Sequence, residues 1–398
     1  MPATRTRPAI FFALLSMIVA LTALAIPLYV IRPFVPQSPR ALQIALEVRI
    51  LAPGLTILCA VVVLAAACWA WRSSSRGARI LFVLATLLTL PSIALARINI
   101  FEKMFHPNLS PAFDAASRVA VAPTDMVLAV TLAGQSRAYP IRTLGYHHII
   151  NDTLGGAPIA ITYCTLCHTG LVWSRTLDGR ILHFRLAGIN NGNALLRDEE
   201  TSSIWQQSTG ESIFGPFRGQ HLELVSSNEL SFAAWRAENP NGQVLRPDPS
   251  TANLYDPADW EQHVARTHVV VDTSASGINP HELMFALDPN NHPRVYPIRT
   301  LLSAGLIQDK PAGEGVLLVL GADNASIRAF DPGSLTFIRD PSSGDTALMT
   351  DSDSGSVWNF SGCAVSGRFT GRCLPVLDGH KTFWFDWLNH HRDTTVYR

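Results

Sequence analysis

The stretch RAYPIRTL at residues 137–144 returns as RVYPIRTL at residues 294–301, with seven of eight positions unchanged. Such self-similarity at long range marks an internal repeat. The agreement continues beyond this stretch, where Trp205 matches Trp358. Residues shared by both copies are expected to maintain the fold, whereas residues found in one copy are free to serve chemistry. The repeat therefore predicts both the architecture and where to look for a site.

Two tandem homologous units follow from the repeat, over residues 105–245 and 280–398, with a connector over residues 246–279. Short apolar runs between Gly-, Asn- and Asp-rich turns predict strands, including Met126–Leu132, Ala157–Tyr163 and Arg180–Leu186. Helices are predicted at Thr143–Asn151 and Leu230–Glu238. We expect a β-rich α+β fold, mainly antiparallel, in which the two units pack as a pseudo-dimer.

Residues 1–104 are predicted to form a transmembrane region with three helices. Uncharged or nearly uncharged apolar runs cover residues 9–31, 50–71 and 78–100. Each is about 20 residues long, which is enough to cross the hydrocarbon core of a bilayer. The first run is interpreted as a retained anchor because it is long and two further spans follow it.

The charges of the short loops predict the orientation in the membrane. Five arginines lie before the first span or between the second and third, against three between the first and second: Arg5, Arg7, Arg72, Arg76 and Arg79, against Arg32, Arg40 and Arg49. Basic loops stay on the cytoplasmic side. We expect a multi-pass protein of the bacterial inner (cytoplasmic) membrane, with its C-terminal soluble region on the periplasmic or extracellular side.

The overall composition limits the classes of partner that this protein is expected to bind. Lys plus Arg and Asp plus Glu both number 31, so the formal net charge is zero. A nucleic-acid-binding domain would normally need a basic face, so no nucleic-acid partner is expected. No P-loop or dinucleotide-binding glycine motif is visible either.

The stretch ITYCTLCHTG at residues 161–170 carries the chemistry, because it holds Cys164, Cys167 and His168 as C-x-x-C-H. The second copy has VLGADNAS at the corresponding place, so the motif is not shared. Three interpretations are open: a c-type haem attachment site, a redox-active dithiol and part of a metal site. The strand-like surroundings and the lack of a second axial ligand nearby disfavour haem.

The redox and metal interpretations use the same sulfurs differently. A dithiol would cycle through a disulfide without any cofactor, with His147 as base or as a cation beside the thiolate. A metal site would use Cys164, Cys167 and His168, and its soft ligands would suit copper, zinc or iron. A second C-x-x-C, which would strengthen the metal interpretation, is not visible.

The segments YP at 139–140, HHIIND, GGAPIAITYCTLCHT, LAGINNGN and SSIWQQSTGESIFGP together resemble the prokaryotic domain of unknown function 3179 family. The resemblance implies a functional set at the matching positions: His147, Asn151, Asp152, Tyr163, Cys164, Cys167, Asn191, Asn193, Trp205 and Gln207. Some relatives carry selenocysteine at a thiol position, which favours redox chemistry. Two positions depart from the family pattern, with Thr165 replacing Pro and His168 replacing Gly.

We therefore predict thiol–disulfide redox activity on a small-molecule or protein thiol substrate, with metal binding or metal delivery as the alternative. The catalytic residues are predicted to be Cys164, Cys167 and His147. The residues expected to orient the substrate are Asn151, Asp152, Tyr163, Asn191, Asn193 and Gln207. Cys363 and Cys373 occur only in the second copy, around a predicted turn, and are expected to form a structural disulfide.

Overall fold

The fold is seen in a computed structural model that describes residues 3–255, 257, 259–340 and 349–398. These residues form two compact units. One contains the N-terminal helices up to Met104 together with residues 187–191. The other contains residues 105–186 and 192–398, and it holds both copies of the repeated stretch.

Three helices long and apolar enough to cross a membrane make up most of the first unit: α1 (Ala3–Val30), α2 (Pro39–Ala70) and α3 (Arg76–Leu95). Small side chains pack where these helices meet, among them Ala9, Ala13, Ala66, Ala70 and Ala85. Large apolar side chains such as Phe11, Leu58 and Leu87 point outward. This arrangement suits lipid surroundings, in which close packing of small residues holds helices together.

The second helix begins earlier than the predicted span. Ser38 caps it, with its hydroxyl accepting a hydrogen bond from the backbone N–H of Ala41 at 3.2 Å, and Pro39 occupies the first turn. Arg40 and Arg49, which were counted as loop residues, therefore lie on a helix. The third helix ends at Leu95, before the predicted boundary, and is followed by the short helix α4 (Ile100–Met104).

The second unit is β-rich. Its first half contains the strands β1 (Phe113–Ala115), β2 (Met126–Leu132), β3 (Gln135–Pro140), β4 (Ile149–Leu154), β5 (Ala157–Cys164), β6 (Thr169–Ser174), β7 (Thr176–Leu177), β8 (Arg180–Ile181), β9 (Phe184–Asn190), β10 (Asn193–Asp198), β11 (Ile204–Gln206), β12 (Ser212–Phe214), β13 (Asn228–Ser231) and β14 (Gln243–Leu245). Its helices are α5 (Ile141–His147) and α6 (Phe232–Glu238).

The second half of this unit also consists mainly of short strands. After helix α7 (Trp260–Val264) come the strands β15 (Leu283–Leu287), β16 (Arg294–Pro297), β17 (Leu306–Asp309), β18 (Val316–Leu320), β19 (Ile327–Phe330), β20 (Phe337–Arg339), β21 (Met349–Asp351), β22 (Val357–Trp358), β23 (Ala364–Ser366), β24 (Gly379–Phe383) and β25 (Thr395–Val396). The helices between these strands are α8 (Ile298–Ala304) and α9 (Trp384–His390).

Strands of the two halves pair in corresponding orders. The sheet β1-β14-β3-β2-β13 has the counterpart β25-β16-β15-β24, and β4-β5-β6 has the counterpart β17-β18-β19. The sheet β9-β10-β11-β12 likewise has the counterpart β20-β21-β22-β23. Within these sheets, β3 with β14 and β16 with β25 pair in parallel, and the other described pairings are antiparallel.

Predicted boundaries differ from the observed ones where a turn residue intervenes. Strand β2 covers the predicted residues, and β5 extends one residue further, to Cys164. The predicted helix at Thr143–Asn151 is instead α5, which stops at His147 because His148 adopts a left-handed conformation with φ 61°. The chain then continues directly into β4.

The repeated stretch forms the same type of contact in both halves. Arg137 donates to both carboxylate oxygens of Asp152 at 2.7 Å, and the Tyr139 hydroxyl donates to Asp152 at 2.5 Å. In the second half, Arg294 and Tyr296 bind Asp309 in the same way, at 2.6 and 3.1 Å. The shared stretch thus joins β3 to the end of β4, and β16 to the end of β17.

The matched tryptophans are buried anchors. Trp205 is fully buried and donates its indole N–H to Asp198 at 2.8 Å, and Trp358 does the same to Asp351 at 2.9 Å. A buried indole N–H needs such a partner. The contacts explain why both residues of each pair appear in both copies.

Candidate functional site

The C-x-x-C sequence forms the tight turn of a hairpin. Cys164 is the last residue of β5 and pairs with Thr169, the first residue of β6. The four residues between them close the turn, in which the N–H of His168 donates to the carbonyl of Thr165 at 3.2 Å. The sulfur atoms of Cys164 and Cys167 lie 2.7 Å apart. A disulfide bond is about 2.05 Å long, so a small shift would join them.

Backbone and amide groups contact both sulfurs. The thiols of Cys164 and Cys167 point to the carbonyl of Gly192, at 3.6 and 3.3 Å. The amide of Asn193 donates to the Cys167 sulfur at 3.3 Å and to the side chain of Gln207 at 3.0 Å. A donor aimed at a sulfur stabilises its thiolate form. Asn193 thus provides Cys167 with a hydrogen-bond donor that would stabilise its thiolate.

Gln207 ties this amide to the hairpin itself. Its side-chain N–H₂ donates to the Thr162 hydroxyl at 3.0 Å and to the carbonyl of Thr169 at 3.2 Å. Asn193 and Gln207 are both fully buried. Buried amides are held in place by such networks, so the amide that faces Cys167 has little freedom to turn away.

A carboxyl group from the second half of the chain completes the surroundings. Asp386 of α9 is 2 % exposed and accepts a hydrogen bond from the Thr169 hydroxyl at 3.1 Å through Oδ2. Its other oxygen, Oδ1, is buried and accepts no protein hydrogen bond within the described residues. Burial raises the pKa of Asp386 to about 6, and the influence of Cys167, Thr169 and other polar neighbours partly opposes the rise.

The thiol of Cys167 is held in its protonated form at rest. Burial, the hydrogen bond with Cys164 and the negative charge of Asp386 raise its pKa well above the usual range, and the Asn193 amide acts in the opposite direction. The motif lies in the turn between β5 and β6, and so no helix N-terminus is placed there to stabilise a thiolate. Reaction at Cys167 therefore requires a group that takes up its proton.

The pair is covered in this conformation. Cys164 is 2 % exposed and Cys167 is fully buried, beneath the half-buried turn residues Thr165 and Leu166. The ring of Phe385 closes another side so tightly that a Cβ added to Gly192 would come within 3.0 Å of it. Gly192 also has φ 95°, so this position favours glycine for two reasons. Movement of the turn would be needed to admit a substrate.

His147 binds elsewhere. Its Nδ1 lies 2.6 Å from the carbonyl oxygen of His106, and its Nε2 lies 3.0 Å from the hydroxyl of Tyr255. Burial lowers the pKa of His147, which favours the neutral ring. Both ring nitrogens thus have partners other than the sulfurs, and the structure does not bring His147 together with the cysteines.

Asn151 and Asp152 form hydrogen bonds that hold the fold together. Asn151 exchanges two hydrogen bonds with the backbone of Phe184, each 2.9 Å long, and so joins β4 to β9. Asp152 binds Arg137 and Tyr139 in the contact found in both halves. The predicted substrate-binding set thus separates: Asn193 and Gln207 lie at the sulfurs, and Asn151 and Asp152 have structural partners.

Asn191 and Tyr163 also lie apart from the sulfur contacts. The Asn191 side chain accepts a hydrogen bond from the backbone N–H of Gln37 at 2.8 Å, and both residues belong to the unit that contains the three long apolar helices. Tyr163 is fully buried in the core, edge-on to Trp260. Its hydroxyl lies 3.4 Å from Nδ1 of His168.

His168 is turned toward a carboxylate and an indole. Its Nε2 lies 3.0 Å from Glu261, and its ring stacks on Trp260 with centroids 5.4 Å apart. The hydrogen bond from His168 is the main cause that lowers the pKa of Glu261. Among the described residues, no group of three or more His, Cys, Asp or Glu side chains is arranged to hold a metal ion. The metal alternative therefore lacks a ligand set there.

The backbone conformation at His168 suits glycine, the residue that the family pattern has at this position. Its φ is 55°, a left-handed conformation that glycine adopts freely and that costs other residues about 1–2 kcal/mol. Replacing His168 with Gly should relieve this strain while losing the contacts with Glu261 and Trp260. Replacing it with Ala loses the same contacts without the relief. We expect the Gly variant to be about 1 kcal/mol more stable than the Ala variant, as measured by denaturant unfolding.

Cys363 and Cys373 form a disulfide in the structure. They face each other across an isolated bridge, at the place where Glu211 and His221 face each other in the first half. The second half thus places a bonded sulfur pair at a position where the first half has none.

The chain belongs to the family described as "Protein of unknown function (DUF3179)", whose model matches residues 101–394. The match includes the hairpin with its two cysteines and also Asp386. No curated protein and no solved structure matches the chain significantly. The family carries no established activity, so the chemistry has to be argued from the residues themselves.

Asp386 was not among the residues predicted from sequence. A signal is present in the repeat, because the aromatic segment KTFWFDWLNHHRD has an acidic residue where the first copy, ELSFAAWRAENP, has an alanine. A lone acidic residue inside an aromatic run is unusual, since carboxylates are seldom fully buried without a partner.

Proposed function

We propose that this protein is a membrane-anchored thiol–disulfide oxidoreductase whose Cys164–Cys167 pair cycles between dithiol and disulfide. One observation carries the proposal: the two sulfurs lie 2.7 Å apart in a hairpin turn, with the amide of Asn193 directed at Cys167. The second half lacks the pair, although its strands follow the same order. A pair kept only for packing would not need a network of buried amides around it.

The chemistry is a two-step exchange with a disulfide substrate. The sulfur of Cys164 gives up its proton and attacks the substrate disulfide, which forms a mixed disulfide and releases one substrate thiolate that takes up a proton. The sulfur of Cys167 then attacks Cys164, closes the internal disulfide and releases the second thiolate. The protein gives up two electrons, and the substrate disulfide becomes two thiols. A dithiol reductant reverses the sequence.

The two halves are proposed to act as a pseudo-dimer in which one half holds the reactive pair and the other supports it. Hydrogen bonds already link them at the site, from the N–H of Phe383 to the carbonyl of Cys167 at 2.8 Å and from Thr169 to Thr382 at 2.8 Å. These contacts support a single functional unit formed by the described residues within 105–398.

The β-rich region is proposed to lie on the periplasmic or extracellular side. The larger number of arginines near the ends of the long helices on the other side favours this orientation. The Cys363–Cys373 disulfide is compatible with it, because disulfides persist in oxidising compartments. The burial of Cys164 favours a small disulfide or thiol as substrate over a folded protein, since a small molecule needs less opening of the turn.

A redox titration of the full-length protein in detergent tests the proposal. Cys59 and Cys68, in the second membrane helix, are replaced with alanine to remove background thiols. The protein is equilibrated in mixtures of reduced and oxidised dithiothreitol, quenched with acid and alkylated, and the thiols are counted by peptide mass spectrometry. We expect Cys164 and Cys167 to lose their thiols together, in a two-electron transition of about 30 mV per tenfold change.

The variant Cys167→Ser is the matched control, since it should leave Cys164 alkylatable at every potential. Cys363→Ser with Cys373→Ser should leave the transition in place, because that pair is separate. If Cys164 and Cys167 stay reduced across the whole range and also in excess oxidised glutathione while the protein is folded, the proposed function is wrong.

A further inference from the structure

We propose that Asp386, contributed by the second half of the chain, accepts the proton of Cys167 when the pair closes its disulfide. This inference rests on the proposed thiol–disulfide function and adds the residue that completes its second step. It also gives the second half a chemical role.

The junction between β24 and α9 is attached to the reactive hairpin at three points. The N–H of Phe383 donates to the carbonyl of Cys167, and the hydroxyl of Thr169 bonds with both Thr382 and Asp386. Asp386 is therefore held beside the turn by its own neighbours in the chain. Its carboxylate binds the hydroxyl of Thr169, two residues beyond Cys167 in the chain, and is thereby placed near the proton that it is proposed to accept.

One carboxylate oxygen of Asp386 has no hydrogen-bond partner among the described residues. Oδ2 is occupied by Thr169, whereas Oδ1 is buried without a protein hydrogen-bond partner in the described part of the chain. A buried polar atom without a partner is destabilising, and such atoms are rare unless they have a use. A proton arriving from Cys167 would supply what this carboxylate lacks.

The electrostatic surroundings suit a proton acceptor. Burial raises the pKa of Asp386 to about 6, so the group is mostly ionised at neutral pH yet holds a proton far better than an exposed aspartate. The titratable groups on the hairpin side are Cys167, whose pKa is raised, and Cys164, which is hydrogen-bonded to it. Lys381, nearby on β24, is paired with Glu229 at 2.9 Å.

The internal repeat supplies an independent argument. The corresponding junction of the first half, between β13 and α6, contacts the turn between β18 and β19, where the N–H of Ser231 donates to the Ser326 hydroxyl at 2.9 Å. At this second junction the turn has no cysteines, and the position matching Asp386 is Ala234. The sulfurs and the carboxylate are thus present together at one junction and absent together at the other.

The step balances as follows. In the mixed disulfide, Cys164 is bonded to a substrate sulfur and Cys167 is a thiol. The proton of Cys167 moves to the Asp386 carboxylate as the Cys167 sulfur bonds to Cys164. The bond between Cys164 and the substrate breaks, and its electron pair leaves with the substrate as a thiolate. Asp386 then releases the proton to that thiolate or to water.

The test follows disulfide closure in full-length protein that lacks Cys59 and Cys68. The reduced protein is mixed with excess oxidised glutathione, quenched with acid at intervals and analysed by mass. We expect Asp386→Asn to close the disulfide about 100-fold more slowly, the lower end of the range for proton transfer by a side chain. The glutathione adduct on Cys164 should accumulate in this variant, because only the second step is slowed.

Asp323→Asn is the matched control, since Asp323 lies in the turn at the other junction, and it should close at the wild-type rate. In the wild type, the rate of the second step should rise with pH through a midpoint near 6. A wild-type rate that is flat between pH 5 and 8 overturns the inference even if Asp386→Asn fails to fold. So does a folded Asp386→Asn protein that closes within threefold of the wild-type rate.

These results separate the inference from the function beneath it. A wild-type protein that closes its disulfide, with an equally fast Asp386→Asn variant, removes Asp386 from the reaction and leaves the thiol pair as proposed. A wild-type protein that never closes the disulfide removes both.

Discussion

Replacing Asp152 with alanine should lower the free energy of unfolding by about 3 to 5 kcal/mol. Asp152 accepts hydrogen bonds from Arg137 and from the fully buried Tyr139. Its removal leaves a guanidinium with little access to water and a buried hydroxyl without a partner. Such groups cost more than the original interaction gained, because their desolvation is no longer compensated. Denaturant unfolding of the full-length protein in detergent, followed by tryptophan fluorescence, measures the loss.

The repeat provides the control for this experiment. Asp309 makes the equivalent contacts with Arg294 and Tyr296. The ion pair is more exposed there, with side chains 19 % and 18 % accessible compared with 16 % and 8 % for Arg137 and Asp152. Water can replace the lost partner more readily, so Asp309→Ala should cost about 1–2 kcal/mol less. Equal losses would contradict the dependence on burial.

Replacing Asp386 with asparagine should have the opposite effect on stability. The pKa of Asp386 is about 6 in the folded protein, above the value of about 3.9 in an unfolded chain. A raised folded-state pKa favours folding at low pH, and this contribution is lost as pH rises through 6. Asparagine carries no charge and escapes the loss. We expect the stability of the variant relative to the wild type to be about 2 kcal/mol greater at pH 7.5 than at pH 4.

The measurement compares both proteins at several pH values, so that other titrating groups cancel. The difference between them should grow between pH 4 and pH 6 and then level off. A difference that does not change with pH would mean that Asp386 carries no raised pKa. A stability gain combined with slower disulfide closure would show that the carboxylate is kept at a cost to the fold, as is common at active sites.

The fold could be predicted from sequence where both copies carry the same information. The repeated RxYPIRTL stretch indicated a structural role, and the structure gives it the same partner type in both halves. The partner itself was not foreseen, because Asp152 was assigned to the substrate through family resemblance. Fifteen residues and a helix separate Arg137 from Asp152, and no local pattern reports a contact across such a distance.

The three long apolar helices show a different limit of prediction from sequence. Hydropathy located all three, since length and apolar composition decide whether a helix can cross a bilayer. It misplaced the start of α2, because Arg40, Glu47 and Arg49 are charged and yet helical. The bond from Gln43 to Glu47, at 3.0 Å, shows how one turn can satisfy its polar side chains outside the apolar span.

The candidate site could be predicted only in part, for a related reason. The hairpin sulfurs and the amides of Asn193 and Gln207 follow from motifs within about 45 residues of one another. Asp386 lies 217 residues beyond Thr169, in the other half of the chain. His147 was a reasonable nearby base, but its ring nitrogens have the carbonyl of His106 and the hydroxyl of Tyr255 as partners. Long-range packing decided which titratable group faces the sulfurs.

The bond between Cys363 and Cys373 has a consequence for how the protein would be sustained in a cell. Surroundings that preserve this bond and are also more oxidising than the Cys164–Cys167 pair would withdraw electrons from that pair as well, because each pair responds according to its own reduction potential. In such surroundings the hairpin pair would rest in its oxidised form. The proposed chemistry would then depend on a steady supply of reducing equivalents, and a cell deprived of that supply would hold a folded but idle protein.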